Sequence, residues 1–343
     1  MSRQDMMMRI LVATLACSAF LHAQVMSKTV MGQIVTEIYR FTTPQTDQSW
    51  KEAATVVQTA ASVLHVTADP STATLTFSGR AEAVDFAAWV LPQIDKPAGD
   101  DAAHEYLLPS GDIGRVKFVS NVETPQATQE LLTILRTVAD TQRLYFFTSN
   151  HAFVLCGPEW QVGFSSWIID QINQPKEKAT DPTPREFTVG GPDYRGLGHG
   201  ARVNFLANTK SQRPMQELLT VLRTVGDVQK VFSYSTSPAL VFRAGDTDLK
   251  RAEWIIQSLD QPAKQSAGAA TFTAPDGDDV TRIFHLRSTT PEWTQSTVTG
   301  LRSEVKIKKI FATMTPDNIV LRGTTDQIAA AMTWMTSHNA LFE

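Results

Sequence analysis

The sequence predicts an α+β protein made of tandem βαββα modules. Each is a small three-stranded sheet with two helices on one face, and some carry an extra N-terminal hairpin. Three observations predict this. Residues Ala239 to Pro262 read as a short apolar β-run, a turn, an amphipathic helix with a tryptophan, and an Asp-x-Pro stop. The same phrase recurs around Leu75 to Pro97, Phe153 to Pro175 and Ile319 to Trp334, so that Trp89, Trp167, Trp254 and Trp334 step by 78, 87 and 80 residues. Gln129 to Val138 returns almost unchanged as Gln216 to Val225, with only Ile134 replaced, by Val221. Self-similarity at a near-fixed period sets the architecture before any single element does.

The chain of 343 residues has room for several compact domains, and its 42% hydrophobic and 19% charged residues are ordinary for a globular protein. A net charge of −4 argues against a protein whose main task is holding phosphate backbones. Residues 1–23 read as a signal peptide. Arg3 and Arg9 precede an apolar run from Ile10 to Leu21, too short to span a bilayer, and Leu21-His22-Ala23 offers a cleavage site before Gln24. Cys17 would leave with that segment, since Thr14 stands where a lipidation signal needs leucine. Cys156 would then be the one cysteine, so no internal disulfide or thiolate metal site is expected. It falls at a strand-end position held by Ser78, Arg243 and Arg322 in the other copies, which marks it as structural filler.

Residues 24–33 read as a polar lead-in. The first module (34–97) takes Ile38 to Phe41 as a strand, then a helix from Trp50 to Val63 with Ala53, Val56, Val57, Ala60, Ala61 and Leu64 at helical spacing. Leu64 to Val66 and Ala73 to Phe77 are strands around an Asp69-Pro70 turn, and the Trp89 helix closes the unit. The second module (103–175) adds a hairpin, Glu105 to Leu108 with Arg115 to Val119. Pro125 opens its first helix, and Leu144 to Phe147 pairs with Phe153 to Leu155. After a charged linker at 176–185, the third module (185–262) repeats this plan. Its hairpin, Glu186 to Val189 with Arg202 to Leu206, is joined by the glycine-rich Gly190 to Gly200. A flexible linker at 263–270 leads to the fourth (270–343), with strands at Thr271 to Thr273, Arg282 to Leu286, Ile307 to Phe311 and Ile319 to Leu321. Helices at Trp293 to Leu301 and Asp326 to Ser337 complete it. Leu131, Leu135, Trp167, Ile168 and Ile172 are core candidates; side chains of this kind contribute about 1.5–3 kcal/mol each on burial. The tryptophans sit in helical register as core or module-contact residues.

No stretch assembles a catalytic, cofactor or metal site. Gly190 to Gly200 matches neither a phosphate-binding loop nor a dinucleotide fingerprint and reads as a long hairpin loop. Gly111-Asp112-Ile113-Gly114 lies between strands and carries an acid that would repel phosphate. Asp276, Asp278 and Asp279 lack the glycine and glutamate of a calcium loop and read as a solvated turn. His104, His151, His199, His285 and His338 are scattered without ligand spacing. Ser165-Ser166 has no nucleophile-elbow context. Lys306, Lys308 and Lys309 read as a protected sheet edge.

The strand pair, the strand end Leu240-Val241-Phe242-Arg243-Ala244-Gly245 and the helix end Trp254 to Asp260 resemble the short N-terminal domains of secretins, the NolW-like or N1/N2 ring-building modules. The resemblance is clearest over Val116 to Asn173 and Val203 to Asp260 and weakest in the first module. It implies a KH-like βαββα fold, a periplasmic location, no catalytic residues and side-by-side packing into rings in secretion or pilus machines. A secretin would continue into a pore domain, so this chain is expected to be a free-standing set of such modules. The expected function is an exported, non-catalytic interaction or scaffold protein. Its partners would be proteins, through self-association or a secretion or pilus component, with no nucleic acid and no transmembrane segment after signal removal. The alternative is a periplasmic small-ligand binder or enzyme with a pocket between modules two and three, near Gly190 to Gly200 and lined by Asp193, Arg195 and His199.

Overall fold

The computed structural model describes residues 25–31, 33–96, 104–175, 177–190, 198–262, 270–275, 277–286, 290–314, 317–338 and 340–341. Residues 1–23, read above as a signal peptide, lie outside them. Among the described residues, four antiparallel sheets of four strands each follow one another along the chain. The first repeat contains β1 (Val25–Met31), β2 (Ile34–Arg40), α1 (Asp47–Thr59), β3 (His65–Asp69), β4 (Thr74–Gly79) and α2 (Ala81–Ile94). The second has β5 (His104–Leu107), β6 (Ile113–Phe118), α3 (Pro125–Thr137), β7 (Arg143–Phe147), β8 (Ala152–Gly157) and α4 (Glu159–Ile172). The third has β9 (Arg185–Thr188), β10 (Gly200–Phe205), α5 (Gln212–Thr224), β11 (Lys230–Tyr234), β12 (Ala239–Ala244) and α6 (Asp246–Leu259). The fourth has β13 (Ala270–Thr273), β14 (Val280–His285), α7 (Pro291–Ser303), β15 (Lys309–Met314), β16 (Asp317–Gly323) and α8 (Thr325–Ser337). Every sheet has the same order: leading strand, second strand, fourth strand, third strand.

Two expectations need correction. Residues 24–33 are not merely a lead-in. Their stretch Val25–Met31 is β1, hydrogen-bonded along β2. All four sheets therefore have four strands rather than three, and all four repeats carry the leading strand. The strand has little apolar periodicity because backbone pairing and charge hold it: Lys28 reaches Glu37 at 2.9 Å and Asp85 at 2.6 Å. The first helix is shifted to Asp47–Thr59, with Thr46 and Ser49 forming a reciprocal capping box. It stops short of Val63 because Ser62 takes a left-handed φ of 63° and turns the chain. Leu64 consequently leaves the apolar face and is exposed.

The chain divides into two compact units, one of residues 1–120 and 141–162, the other of 121–140 and 163–343. The boundary cuts through the second repeat: its sheet belongs with the first repeat, its helix α3 with the third. Within the first unit, α1 packs on β3 of its own sheet and on β7 of the next. Val56, Val57, Phe86 and Val90 form one core with Val116, Phe147 and Val154. Within the second unit, α3 packs on β11, and α5 packs on both β11 and β15. Leu218, Leu222 and Ile255 share a core with Ile283 and Val320 of the following sheet. The inner strands show the consequence. Every residue of β8 and β12 is buried, whereas β4 alternates buried with half-buried positions.

Candidate interaction surface

The helices α1 and α5 thus each serve two sheets, and the surface where the first helix of a repeat meets the following sheet is a joint built three times from equivalent residues. A glutamate on the helix accepts from the backbone N–H that ends the third strand of the next sheet. Glu52 Oε2 takes Thr148 N–H at 2.9 Å, Glu130 takes Ser235 N–H at 2.7 Å, and Glu217 takes Met314 N–H at 3.0 Å. Glu130 also accepts from the Ser235 hydroxyl at 2.6 Å. Ten residues after each glutamate the chain turns through a left-handed residue: Ser62 (φ 63°), Asp140 (58°) and Asp227 (60°). Asparagine and aspartate tolerate this conformation better than most side chains, and here the aspartates are also used chemically. Asp140 pairs with Lys230 and, at 2.6 Å, with Arg243. Asp227 pairs with Lys309 and, at 2.7 Å, with Arg322. In the first joint Ser62 has no charge to offer. Arg143 instead donates to Ala60 O at 3.2 Å and pairs with Asp112 of its own sheet at 3.1 Å.

The third joint extends this into a chain of charges. Arg251 is fully buried, and its guanidinium bridges Asp248 and Asp279, the latter at 2.6 Å. Asp279 also receives Arg322 at 2.6 and 2.7 Å. Burial by itself would raise the Asp279 carboxyl, but the Arg322 hydrogen bond and the charges of Arg251, Arg322 and Lys309 outweigh it and hold the group below the usual carboxylate range. The expected solvated turn at 276–279 is therefore corrected for Asp279, which is the hub of an ion network. Asp276 lies outside the described residues.

Each closing helix adds an aromatic contact to the leading strand that follows. Trp89 meets Tyr106 at 5.5 Å between centroids, Trp167 meets Phe187 at 5.1 Å, and Trp254 meets Phe272 at 5.9 Å. These are tilted ring pairs, at 38°, 35° and 42° between planes. The acid that ends the first and third of these helices has an internal role. Asp95 accepts from Tyr39 Oη at 2.9 Å, Thr42 N–H at 2.7 Å and Thr43 N–H at 3.1 Å. Burial, then the neighbouring Asp95 carboxylate, push the Tyr39 phenol far above its ordinary pKa. Asp260 likewise takes Ala207, Asn208 and Thr209 N–H groups at 2.7, 2.9 and 2.6 Å.

The other singled-out residues are dispersed. Asp193 and Arg195 lie outside the described residues. His199 is exposed, with Nδ1 3.3 Å from Val189 O across its own hairpin. Cys156 is buried in the first joint, and burial pushes its thiol up to about 12. Lys309 faces Asp227, and β15 is an edge strand, as the basic run suggested. Among the described residues, no group of three or more His, Cys, Asp or Glu side chains is placed to hold a metal ion. A cavity of about 450 Å³ lies at the first joint, lined by Ser62, Arg80, Glu82, Ser110, Asp112 and Arg143 among others, with both signs of charge facing it. No described helix is long and apolar enough to cross a membrane.

Sequence reasoning missed the joint residues, although Glu130 and Glu217 recur within the duplicated segment and Asp140 and Asp227 follow each by ten residues. The spacing was visible; the partner of each acid was not.

The fold and its joints define the class: a tandem α+β repeat protein in which, within each compact unit, a helix glutamate ties one repeat to the sheet of the next. No family model matches the chain, and no curated protein matches it. Among solved structures it is similar to a dimeric mutant of the N-terminal domain of the secretin XcpQ from Pseudomonas aeruginosa, at 13% identity over 47% of this chain and 76% of that one, with a TM-score of 0.19. It is also similar to the enterotoxigenic E. coli pilotin–secretin complex AspS–GspD, at 14% identity over 88% of this chain and 55% of that one, with a TM-score of 0.17. The chain spans little more than half the length of the latter. An aspartate kinase from Synechocystis stands at 12% identity over 89% of this chain and 54% of that one, with a TM-score of 0.18. Likeness at this level reaches an enzyme as well as secretins and does not separate their functions.

Proposed function

We propose that the chain is an exported, non-catalytic scaffold that binds protein partners in the cell envelope through its repeats. In this reading residues 1–23 are removed as a signal peptide. The four repeats, the first extended by β1 and the others at 103–175, 185–262 and 270–343, act in the periplasm alongside secretion or pilus components. The observation that carries it is the joint. At the joints, charged groups from Glu52 to the Arg251–Asp279–Arg322 network are spent on fixing one repeat to the next. That is the investment of a scaffold that presents surface rather than of a site that turns over substrate. Supporting it are apolar side chains left outside the joints, with Val30 62%, Met31 78% and Leu107 73% exposed at two hairpins. Isolated exposed apolar groups are common, but hairpin tips of this kind are available to protein partners.

Periplasmic fractionation with N-terminal sequencing tests export. Photocrosslinking residues at Val30, Met31 and Leu107 test protein contact. The expected outcome is a chain beginning at Gln24 in the periplasm, with discrete crosslinked species. A cytosolic chain with an intact N-terminus, or a periplasmic chain that yields no crosslinked species from any of the three positions, overturns the proposal.

A further inference from the structure

The residues that make the joint are replaced at both ends of the array. We infer that the outer helix face of the fourth repeat and the outer sheet face of the first are terminators, so that a second copy of this chain does not dock end to end through the joint surface.

On the helix side, Glu52, Glu130 and Glu217 correspond to Ser296, which has no carboxylate to receive an N–H. Ten residues on, where the joints have Ser62, Asp140 and Asp227, the same left-handed turn (φ 65°) carries Lys306, a reversed charge. Val56, Ile134 and Val221 are fully buried on the first three of these helices. Their counterpart is Gly300, and the Trp334 ring lies on it: a Cβ there would stand 2.2 Å from Cζ2. Ala60, Val138 and Val225 are also fully buried. Their counterpart, Glu304, is exposed and accepts the Trp334 Nε1–H at 2.8 Å. His338 stacks on the same ring at 3.9 Å. The tryptophan that reaches the following leading strand in three repeats is here folded back over its own helix pair, in a slot that the glycine opens.

The sheet side is altered at each corresponding position. The donors Thr148, Ser235 and Met314 become Pro70, which has no N–H. Arg143, Lys230 and Lys309 become His65, and Cys156, Arg243 and Arg322 become Ser78. Val154, Val241 and Val320, all fully buried, become the half-buried Thr76. The ring of Tyr106, Phe187 or Phe272 becomes the exposed Thr29. Stacked repeat arrays require end units with a polar outer face. Were two copies to approach end to end, Lys306 would meet His65 and Ser78, with no acid between them. This goes beyond the scaffold reading and holds whichever partner the chain has: it leaves hairpins and sheet edges, not the stacking faces, for other molecules.

The test places cysteines at Pro70 and Ser296 of the full chain, positions that an end-to-end joint would bring together. Cys156 is buried and stays out of the reaction. Oxidation of this otherwise unaltered chain is expected to give a single band. A chain that also carries Gly300→Val, Glu304→Val, Lys306→Asp, His65→Lys, Thr76→Val and Ser78→Arg is expected to give a ladder of disulfide-linked multimers. A ladder in the unaltered background overturns the inference, and so does a folded recoded chain without one. Should the recoded chain not fold, an internal joint decides. Glu217→Ser with Asp227→Lys installs terminator residues in the third joint. Hydrogen exchange at Met314 should then rise about tenfold or more, while β11 and β12 stay protected. Unchanged exchange at Met314 overturns the inference.

Discussion

Replacing Asp279 by alanine should weaken the second unit more than any other single change to a turn residue. Asp279 holds Arg251 at 2.6 Å and Arg322 at 2.6 and 2.7 Å, and Arg251 is fully buried. Hydrogen bonds to charged partners contribute about 1.5–3 kcal/mol each, and breaking a buried ion pair costs about 3–5 kcal/mol because the remaining charge is stranded. Here the loss is moderated. Arg251 keeps Asp248, Arg322 keeps Asp227, and the Asp279 side chain is 26% exposed. The expected cost is about 3 kcal/mol. Urea unfolding followed by Trp254 and Trp334 fluorescence would read it, with Asp278→Ala, one residue away and exposed, as a control expected to move stability by less than about 0.5 kcal/mol. The pH dependence supplies a second readout. The folded pKa of Asp279 lies below its unfolded value, so its contribution is present above about pH 4 and is lost as pH falls through the folded pKa. The wild-type chain should therefore show an acid-limb loss that the alanine variant lacks. An Asp279→Ala cost below about 1 kcal/mol, or an acid limb equal in both proteins, would refute the claim that this carboxylate holds the joint.

Three further outcomes are expected. Asp95→Ala should destabilise the first unit by about 3 kcal/mol, because it strands the Tyr39 hydroxyl and the Thr42 and Thr43 N–H groups around a buried site; thermal unfolding of the variant measures it. Glu130→Ala should cost about 2 kcal/mol and speed hydrogen exchange at the Ser235 amide, whereas Glu123→Ala, on an exposed loop position, should leave that amide unchanged. Cys156 should react with a thiol reagent at neutral pH only when the chain unfolds, since burial both shields the sulfur and holds the thiolate back; fast labelling of the native protein would contradict its placement in the joint.

Much of the local structure is legible in the residues. Thr124 and Pro125 announce the start of α3, and the Thr124 hydroxyl does accept from Ala127 N–H at 3.1 Å. Asp69 before Pro70 marks a turn, and its carboxylate takes the Ser71 N–H at 3.0 Å. The four tryptophans declare the repeat because helix period and spacing are properties of the chain alone. The strand β1 is less legible, since an edge strand with exposed side chains from Ser27 to Met31 needs only backbone partners and carries little pattern.

What the sequence by itself determines about this protein is the repeat: which segments beyond β1 are strands, which are helices, and in what order. What only the tertiary structure decides is which repeat each helix serves. The helices α1 and α5 each lie between the third strand of their own sheet and that of the next. Glu52, Glu130 and Glu217 therefore find their N–H partners 96, 105 and 97 residues away. No local rule specifies such a partner, because the contact follows from how successive sheets stack. The same stacking gives Ser296, Gly300 and Lys306 their meaning. In the sequence they are small departures from a repeat; in the fold they stand on the face where the repeat's own joint is missing.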